Sequence, residues 1–479
     1  MARALVRLLP FEMAMLGLFE FAFLFALIFM MLTAGGPALL LDSDDLRRDC
    51  LVLAAMLAVT IAGTAATIGL YRPDVCLDRR RFLLSGTISA LLAFPAILLV
   101  SGAYRMTLSE EHIVWLARLL AIWLPFVLLV RFAWSAVAAR MPMARRVLVI
   151  GHGSRATLLR RRLATKRHGL FEPIVYDPDM DVAAFADAGQ RAQGDGRDLA
   201  REGTERGMED VLSPRFVRAR RIWGIVIAED APEPDTHLAL LDNKLRGVPV
   251  FSDLSFQEHH LGRIELDAID ANWLLFADGF QNGMMSRAFK RVFDIAIGML
   301  LTVVTLPLML MTAVLIKLDS RGPVFYRQER TGLHGETFTL FKFRSMALDA
   351  EVAGKPQWAQ KRDPRITRVG AFMRASRIDE LPQLFNVLRG EMSMIGPRPE
   401  RPIFVDELAK VIPFYNHRGY VKPGLTGWAQ VNYPYGASVE DAREKLAYDL
   451  YYVKNRGMLL DMVILLSTVR VILFREGAR

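Results

Sequence analysis

The sequence contains very few cysteines: Cys50 and Cys76 are the only two in 479 residues. Cys50 flanks an apolar run and Cys76 lies in a short basic loop, so we expect neither a disulfide nor a cysteine-bound metal site. There is no internal repeat and no long low-complexity tract, which excludes a repeat array. The first apolar run lacks the small-residue cleavage site of a signal peptide, so it predicts a membrane anchor.

The composition combines long apolar stretches with many charges. Hydrophobic residues make up 52% of the chain and charged residues 23%. This mixture indicates membrane segments joined to soluble domains, and the length allows two or three domains. The net charge is +9. Because much of this basic excess lies beside apolar stretches, it indicates contact with anionic membrane lipid and phosphate binding, and we expect no nucleic-acid partner.

Residues 1–140 contain four apolar runs, each long enough to cross a hydrocarbon core of roughly 30 Å. The runs cover residues 11–32, 51–71, 82–103 and 112–134. Basic residues mark the N-terminus, the second loop and the exit from the fourth run as cytoplasmic. These residues are Arg3, Arg7, Arg72, Arg79, Arg80, Arg81, Arg140, Arg145 and Arg146. We therefore predict a four-helix transmembrane bundle with both ends inside.

Residues 141–275 are predicted to form a Rossmann-like cytosolic domain. Candidate strands alternate with helical stretches, which favours a parallel sheet. The strands cover residues 145–150, 172–177, 222–228 and 248–251. Gly151, Gly153 and Ala156 follow the first strand in the short form of the dinucleotide fingerprint. The turn glycines also suit a purely structural role, so nucleotide binding and a regulatory or scaffolding domain both remain open.

Residues 276–479 are predicted to form a small α+β domain that begins with a re-entrant membrane helix. Its apolar run extends from Ile295 to Ile316, and Pro307 is expected to break the helix in the middle. Basic residues stand at both ends of the run, which argues against a straight span. We therefore predict that the helix bends at Pro307 and returns to the cytoplasmic face; a straight span is the alternative. A last apolar run, 458–474, is interrupted by two charges and predicts an interfacial or packed helix.

The stretch 376–390 carries the densest chemical signal in the chain. Pro382 is tolerated only in the first turn of a helix, and Gly390 suits a left-handed helix end. Asp379 and Glu380 therefore stand together where the helix begins, among free N–H groups that keep a carboxylate ionised and attract phosphate. The helix is predicted to bury one apolar face, formed by Leu381, Leu384, Phe385 and Leu388.

Basic residues lie on both sides of this acidic pair. They are Lys342, Arg344, Arg365, Arg374, Arg377 and Arg398. Two acids among so many bases indicate a site for an anionic substrate, with a carboxylate left over to act. An acidic first turn without a function is the alternative.

Two of the basic motifs suggest phosphate binding. Arg398 lies between two prolines, which hold its guanidinium on a stiff backbone suited to clamping phosphate; an ordinary surface turn is the alternative. Lys342 and Arg344 alternate with Phe341 and Phe343. A β-strand would place both bases on one face, as an amphipathic edge strand without a function also would.

Six motifs in order over residues 287–479 resemble the bacterial sugar transferase family, the polyprenyl-phosphate hexose-1-phosphate transferases. The motifs are the segments 322–332, 338–346, 363–370, 376–390, 394–400 and 421–431. The whole chain resembles the large monotopic members, such as undecaprenyl-phosphate glucose or galactose phosphotransferases. The resemblance implies transfer of a hexose 1-phosphate from UDP-glucose or UDP-galactose to undecaprenyl phosphate, with release of UMP.

The resemblance also implies roles for individual residues. Asp379 would be the catalytic nucleophile that forms an aspartyl phosphosugar intermediate, Glu380 its partner acid, and Mg2+ would be held near the two. Arg374 and Arg398 match the phosphate-binding arginines, and Pro307 matches the proline that breaks the membrane helix. The remaining candidates for phosphate binding are Lys342, Arg344 and Arg365. An anionic nucleophile and an anionic substrate repel each other, so a divalent cation and arginines are needed to offset the charge.

Several expectations concern the whole protein. We expect a multi-pass protein of the bacterial inner membrane, with the catalytic domain on the cytoplasmic face. It would act as a first membrane step of exopolysaccharide or O-antigen type glycan synthesis, and a homodimer is expected from the family. After Val431 the chain departs from the family's usual continuation, which leaves the sugar open. The alternatives are a non-enzymatic scaffold or regulator of polysaccharide export and an NAD(P)-dependent nucleotide-sugar enzyme acting through residues 145–275.

Overall fold

The computed structural model describes most of the chain. The described residues are 11–34, 46–71, 79–104, 110–138, 145–151, 153–164, 171–175, 211–228, 234–269, 271–280, 283–346, 365–434, 436 and 438–474. Four of the nine basic residues on which the predicted membrane orientation depends, Arg3, Arg7, Arg72 and Arg140, lie outside these ranges. That orientation therefore stays a prediction.

Four long apolar helices form the N-terminal part. They are α1 (Phe11–Thr33), α2 (Leu46–Ile68), α3 (Arg79–Ala103) and α4 (Glu110–Ala138), and they coincide with the four predicted apolar runs. Helix α2 packs against α1 and α3, and α4 packs against α3. Their facing side chains form one apolar core that includes Leu53, Leu57 and Leu116. Each helix is long and apolar enough to cross a membrane, so the protein is membrane-associated.

A buried ion pair joins the first and fourth of these helices. Nη2 of Arg131 donates to Oε2 of Glu20 at 2.8 Å, and Nε of Arg131 lies 2.8 Å from Oε1. The guanidinium also lies over the ring of Tyr71, 4.9 Å from its centroid. Since an unpaired charge is costly among apolar helices, the pairing explains how both residues are accommodated between the helices.

The middle part contains a parallel sheet of four strands in the order β2-β1-β3-β4. The strands are β1 (Arg145–Ile150), β2 (Phe171–Val175), β3 (Ile222–Ile227) and β4 (Val250–Ser252), and the helices are α5 (Gly153–Ala164), α6 (Pro214–Ala219), α7 (Pro234–Leu245), α8 (Asp253–Phe256) and α9 (Ala271–Phe276). Along β1, Val147 and Val149 belong to one apolar cluster, whereas Leu148 and Ile150 belong to another. Both faces of the sheet are therefore buried, as is usual for parallel strands. The four strands lie close to their predicted positions and pair in parallel, although β4 begins at Val250 instead of Val248, and residues 176 and 177 lie outside the described residues. A Rossmann-like domain stays a prediction.

The C-terminal part carries the acidic pair. Its helices are α10 (Met284–Asp319), α11 (Arg368–Ser376), α12 (Gln383–Arg389), α13 (Pro402–Val411), α14 (Trp428–Asn432), α15 (Val439–Asn455) and α16 (Met458–Phe474). Its strands are β5 (Phe325–Thr331), β6 (Thr337–Phe343), β7 (Ser393–Ile395) and β8 (Gly424–Thr426). Strands β5 and β6 form an antiparallel hairpin, and β7 pairs with β8 in parallel. Leu460, Ile464 and Val471 of α16 share the core of this part, so α16 packs on the domain.

The membrane helix is not interrupted at Pro307, and the predicted bend at this residue stays a prediction. Helix α10 continues through Pro307 as one α-helix of 36 residues. Proline removes one backbone hydrogen bond, but an apolar surrounding favours keeping all the other backbone bonds within the helix. A helix of this length extends over roughly 54 Å, more than a hydrocarbon core of roughly 30 Å. The predicted return of the chain to the cytoplasmic face stays a prediction.

The middle and C-terminal parts are packed against each other. The indole Nε1 of Trp428 donates to the carbonyl of Gly262 at 2.7 Å, and the amide of Ile264 donates to the carbonyl of Ala447 at 3.0 Å. Glu444 accepts from Arg162 and Arg263 of the middle part, and apolar side chains from both parts share one cluster. The α+β domain is thus fixed to the parallel sheet by polar and apolar contacts together.

Candidate active site

The acidic pair lies in a tight turn between two helices. Helix α11 ends at Ser376, and Arg377 adopts a left-handed backbone conformation with φ of +59°. A short 3₁₀ turn over Ile378–Glu380 follows, and Pro382 directly precedes α12. This reversal brings the turn against strand β6. The predicted left-handed end at Gly390 is confirmed by its φ of +89°.

The buried face of α12 differs in part from the predicted one. Leu384 is buried as expected, but Phe385 is 38% exposed. The polar side chain of Asn386 is buried instead, because it accepts from the amide of Phe341 and donates to the carbonyl of Thr339. These bonds satisfy backbone groups of β6. The face of α12 that contacts β6 therefore includes Asn386 instead of Phe385.

Three cationic side chains converge on Glu380. Nη2 of Arg398 lies 2.6 Å from its Oε1, and Nζ of Lys342 lies 3.3 Å from the same oxygen. Nη1 of Arg377 lies 4.0 Å from Oε2. Burial raises the pKa of Glu380, but these positive charges outweigh burial and hold its pKa well below the ordinary value. Glu380 is therefore a fixed anion that orders the surrounding bases.

Asp379 lies beside this ion cluster and is only 8% exposed. Burial, followed by the negative charge of Glu380, raises the pKa of Asp379 to about 6. The positive charges of Lys342, Arg374 and Arg398 oppose this rise. At neutral pH Asp379 is thus ionised but poorly solvated, which is the state that suits a nucleophile.

The structure therefore brings together most of the predicted site residues. Lys342 and Arg398 contact Glu380, and Arg374 acts on Asp379 through its charge. Arg365 lies in a turn beside the bridge between Met346 and Ile366, and its role in phosphate binding stays a prediction.

The predicted placement of Arg344 beside Lys342 at the substrate is wrong. Strand β6 ends at Phe343, so Arg344 falls outside the alternation of the strand. Its guanidinium donates to the carbonyls of Ser320 and Arg321, each at 2.8 Å, and to the hydroxyl of Ser320. Arg344 therefore caps the carboxyl end of α10, where a positive charge complements the helix dipole.

This difference predicts opposite effects for two arginine substitutions. Arg344→Gln should destabilise the protein by about 3 kcal/mol, because several charge-assisted hydrogen bonds are lost. Arg374→Gln should leave stability unchanged and weaken substrate use instead. Thermal unfolding midpoints and the KM for the nucleotide sugar, measured on both variants, test the assignment. A normal unfolding midpoint together with a raised KM in Arg344→Gln would contradict it.

Sequence reasoning missed the residues that hold the Pro-Arg-Pro turn. Nη1 of Arg330 donates to the carbonyl of Pro399 at 3.0 Å, and Nη2 of Arg418 donates to the carbonyl of Arg398 at 2.8 Å. Arg418 also lies 2.9 Å from the buried carboxylate of Asp449. These partners are distant in the sequence, so only their basic character could have suggested a role. They fix the backbone from which the guanidinium of Arg398 reaches Glu380.

The pKa of Asp379 predicts the pH dependence of the reaction. Since the carboxylate must be ionised to attack, kcat/KM should be constant above neutral pH and fall tenfold per pH unit below about pH 6. Burial also raises the pKa of Asp449 to about 6. Asp449→Asn is therefore the control. It should retain the fall in kcat/KM below about pH 6, which is the acid limb of the pH profile. If the limb disappeared in Asp449→Asn, it would report the ionisation of Asp449 and not that of Asp379.

The acidic pair offers a limited donor set for Mg2+. Magnesium usually binds one or two carboxylates together with substrate phosphates and water, which Asp379 and Glu380 fit. Oε1 of Glu380 already accepts from Lys342 and Arg398, so a bound cation would use its other oxygen or Asp379. Within the described ranges, no group of three or more His, Cys, Asp or Glu side chains is placed to hold a metal ion.

These observations define a class: a membrane-associated protein with a largely buried carboxylate pair among basic residues, suited to an anionic substrate. The Bacterial sugar transferase family matches residues 285–475. A Bacillus subtilis protein named putative undecaprenyl-phosphate N-acetylgalactosaminyl 1-phosphate transferase is 53% identical over 131 residues, 27% of this chain and 73% of the relative. The chain belongs to the bacterial sugar transferase family.

Two other relatives match longer segments. The UDP-N-acetylgalactosamine-undecaprenyl-phosphate N-acetylgalactosaminephosphotransferase of Aeromonas hydrophila is 45% identical over 235 residues, 49% of this chain. The undecaprenyl-phosphate glucose phosphotransferase of Komagataeibacter xylinus is 31% identical over 373 residues, 74% of this chain. The matched segments span 55% and 66% of the lengths of these two relatives.

Proposed function

We propose that this protein is an undecaprenyl-phosphate hexose-1-phosphate transferase. It transfers a hexose 1-phosphate from a UDP-sugar to undecaprenyl phosphate and releases UMP. The observation that carries the proposal is the ionised, poorly solvated Asp379 beside a Glu380 that gathers three cations. The family match favours this reaction over a non-enzymatic scaffold and over an NAD(P)-dependent enzyme.

In the first step, a carboxylate oxygen of Asp379 attacks the phosphorus atom that bears the sugar. The bond from this phosphorus to the oxygen bridging the two phosphates breaks, and UMP leaves with that oxygen. An aspartyl phosphosugar remains on the protein. The positive charges of Lys342, Arg374 and Arg398 offset the repulsion between the carboxylate and the diphosphate.

In the second step, a phosphate oxygen of undecaprenyl phosphate attacks the same phosphorus. The acyl phosphate bond breaks, the carboxylate of Asp379 is restored, and undecaprenyl-diphospho-sugar is formed. Glu380 keeps the bases in place through both steps because its hydrogen bonds to Arg398 and Lys342 do not involve the reacting atoms. Mg2+ held by the acidic pair and the substrate phosphates would neutralise part of the diphosphate charge.

The lipid acceptor is confined to the membrane, whereas the UDP-sugar is soluble. We propose that the apolar helix α10 seats residues 276–479 as the catalytic domain on the cytoplasmic face of a bacterial inner membrane. The α+β domain packs directly on this helix, since Gly298 of α10 lies against Leu388 of α12. The reaction would then be a first membrane step of exopolysaccharide or O-antigen type glycan synthesis.

The donor sugar is tested by UMP release from the purified full-length protein in nanodiscs. Relatives are named for N-acetylgalactosamine, glucose and galactose, so we propose a UDP-hexose and compare UDP-glucose, UDP-galactose and their N-acetylated analogues. Release that requires undecaprenyl phosphate and Mg2+ with one of these donors is the expected result. An absence of lipid-dependent UMP with all four donors would contradict the proposal.

A further inference from the structure

A cavity with basic walls lies apart from the acidic pair. Its volume is about 1340 Å³, and neither Asp379 nor Glu380 lines it. It is enclosed by the first turns of α10, the start of α16 and the segment from Phe414 to Lys422. It therefore opens where the polar domain meets the beginning of a long apolar helix.

The charges that line this cavity do not cancel. Five cationic side chains (Arg287, Lys290, Arg291, Lys422 and Arg456) face two carboxylates (Asp294 and Asp461). Lys290 forms ion pairs with both carboxylates: its Nζ lies 3.0 Å from Asp461 and 3.4 Å from Asp294. In the described part of the chain, no carboxylate lies within ion-pair distance of Arg287 or Lys422. The cavity therefore has a positive charge that an anion would balance.

Two of these cations point to nearly the same place. A Cβ atom added to Gly390 would lie 3.3 Å from Nη2 of Arg291 and 3.6 Å from Nζ of Lys422. Arg291 is fixed there because it donates to the carbonyls of Val387 and Leu388 at 2.7 Å each. Burial, and then the charge of Arg291, lower the pKa of Lys422. Two cations held this close repel each other, and a bound anionic group would offset that repulsion.

The rim of the cavity is apolar and exposed. Leu275 and Phe289 line the cavity and are 74% and 67% exposed, and Met458 is exposed beside them. Along α10 the exposed apolar surface continues from Phe289 to Val292 and Leu300. A soluble anion would gain nothing from this surface, whereas the acyl chains of a lipid would cover it.

We propose that this cavity binds an acidic membrane phospholipid, separately from the two substrates of the transferase reaction. Lys422, beside Arg291 and together with Arg287 of the same cavity, would hold the headgroup phosphate, and Leu275, Phe289 and Met458 would lie against the acyl chains. Such a lipid would fix the domain on an acidic membrane surface.

The test measures binding of dihexanoyl phosphatidylglycerol to the full-length protein in a zwitterionic detergent. Dihexanoyl phosphatidylcholine and inorganic phosphate serve as comparison ligands. Each basic residue near an acidic lipid contributes a factor of about five in affinity, so Arg287→Gln/Lys422→Gln should bind about thirtyfold more weakly. The matched control is Lys244→Gln/Lys410→Gln, which removes the same charge from exposed positions away from the cavity and should bind normally.

A charge-conserving variant shows whether weaker lipid binding comes from the lost charge or from a damaged fold. Arg287→Lys/Lys422→Arg should retain binding within about twofold, which a damaged fold would not allow. Undiminished binding by the Gln double variant would overturn the proposal, as would equal binding of phosphatidylcholine or inorganic phosphate. A higher KM for undecaprenyl phosphate in Arg287→Gln/Lys422→Gln than in the wild type, with both measured in nanodiscs without acidic lipid, would also overturn it, by assigning the cavity to the acceptor. The binding measurements do not depend on the proposed transferase activity.

Discussion

Asp379→Asn should lower UMP release at least about a thousandfold, because an amide cannot displace UMP from the sugar phosphate. The side chain keeps its size, and the ion cluster around Glu380 is untouched. Burst measurements of the first step, with radiolabelled UDP-sugar and no acceptor lipid, would show labelled protein for the wild type and none for the variant. The effect should therefore appear in the chemical step and not only in the complete reaction.

The thermal stability of Asp379→Asn distinguishes a loss of catalytic activity from misfolding. The pKa of Asp379 is raised from 3.8 to about 6 in the folded state, so the ionised form is disfavoured by folding. The corresponding stability is present below pH 3.8 and is lost as the pH rises through about 6. A neutral Asn avoids this loss, and Asp379→Asn should unfold at an equal or higher temperature than the wild type at pH 7.5.

The matched control is Asp406→Asn on α13, which makes the same change at an exposed position. It should leave both activity and unfolding temperature unchanged. Residual UMP release by Asp379→Asn within tenfold of the wild type would exclude Asp379 as the nucleophile.

Glu380→Gln should reduce kcat about a hundredfold and also change the pH profile. The neutral side chain no longer holds Lys342 and Arg398 as an anion does, so both bases lose their common partner. At the same time, the negative charge that raises the pKa of Asp379 is removed. The acid limb of kcat/KM should therefore shift from about pH 6 to lower pH.

This shift distinguishes an electrostatic role from a structural one. A variant that only loosened the turn would lose activity without moving the limb. Glu407→Gln is the control, because Glu407 is exposed on α13, and it should keep both the rate and the profile. A limb that stayed at about pH 6 in Glu380→Gln would show that the charge of Glu380 does not set the pKa of Asp379.

The sequence was most informative where local chemistry determines structure. Apolar runs long enough to cross a bilayer predicted α1 to α4, and alternation of strands with helices predicted the parallel sheet. Pro382 and Gly390 predicted a short helix after the acidic pair, as found, although the pair itself lies in a 3₁₀ turn that precedes this helix. Each of these features depends on residues that are neighbours in the chain, so a single sequence carries the necessary information.

Local reasoning failed where the surroundings of a residue, or a partner distant in the chain, decided the outcome. Pro307 does not interrupt α10, because an apolar helix keeps its remaining backbone bonds. Arg344 caps that helix because the chain returns to its end more than twenty residues later. Asn386 displaces Phe385 from the buried face because β6 presents backbone groups that only an amide can satisfy.

The sequence alone therefore determined the long apolar helices, the parallel sheet and the short helix that follows the acidic pair. It could not determine which bases serve that pair, since charge and spacing were equally suitable in Lys342 and Arg344. The tertiary structure decided this by folding β6 against the turn and the Pro-Arg-Pro segment across it, which places Lys342 and Arg398 on Glu380. The reason is physical: a buried carboxylate takes its pKa from charges within a few ångströms, and these come from segments far apart in the chain.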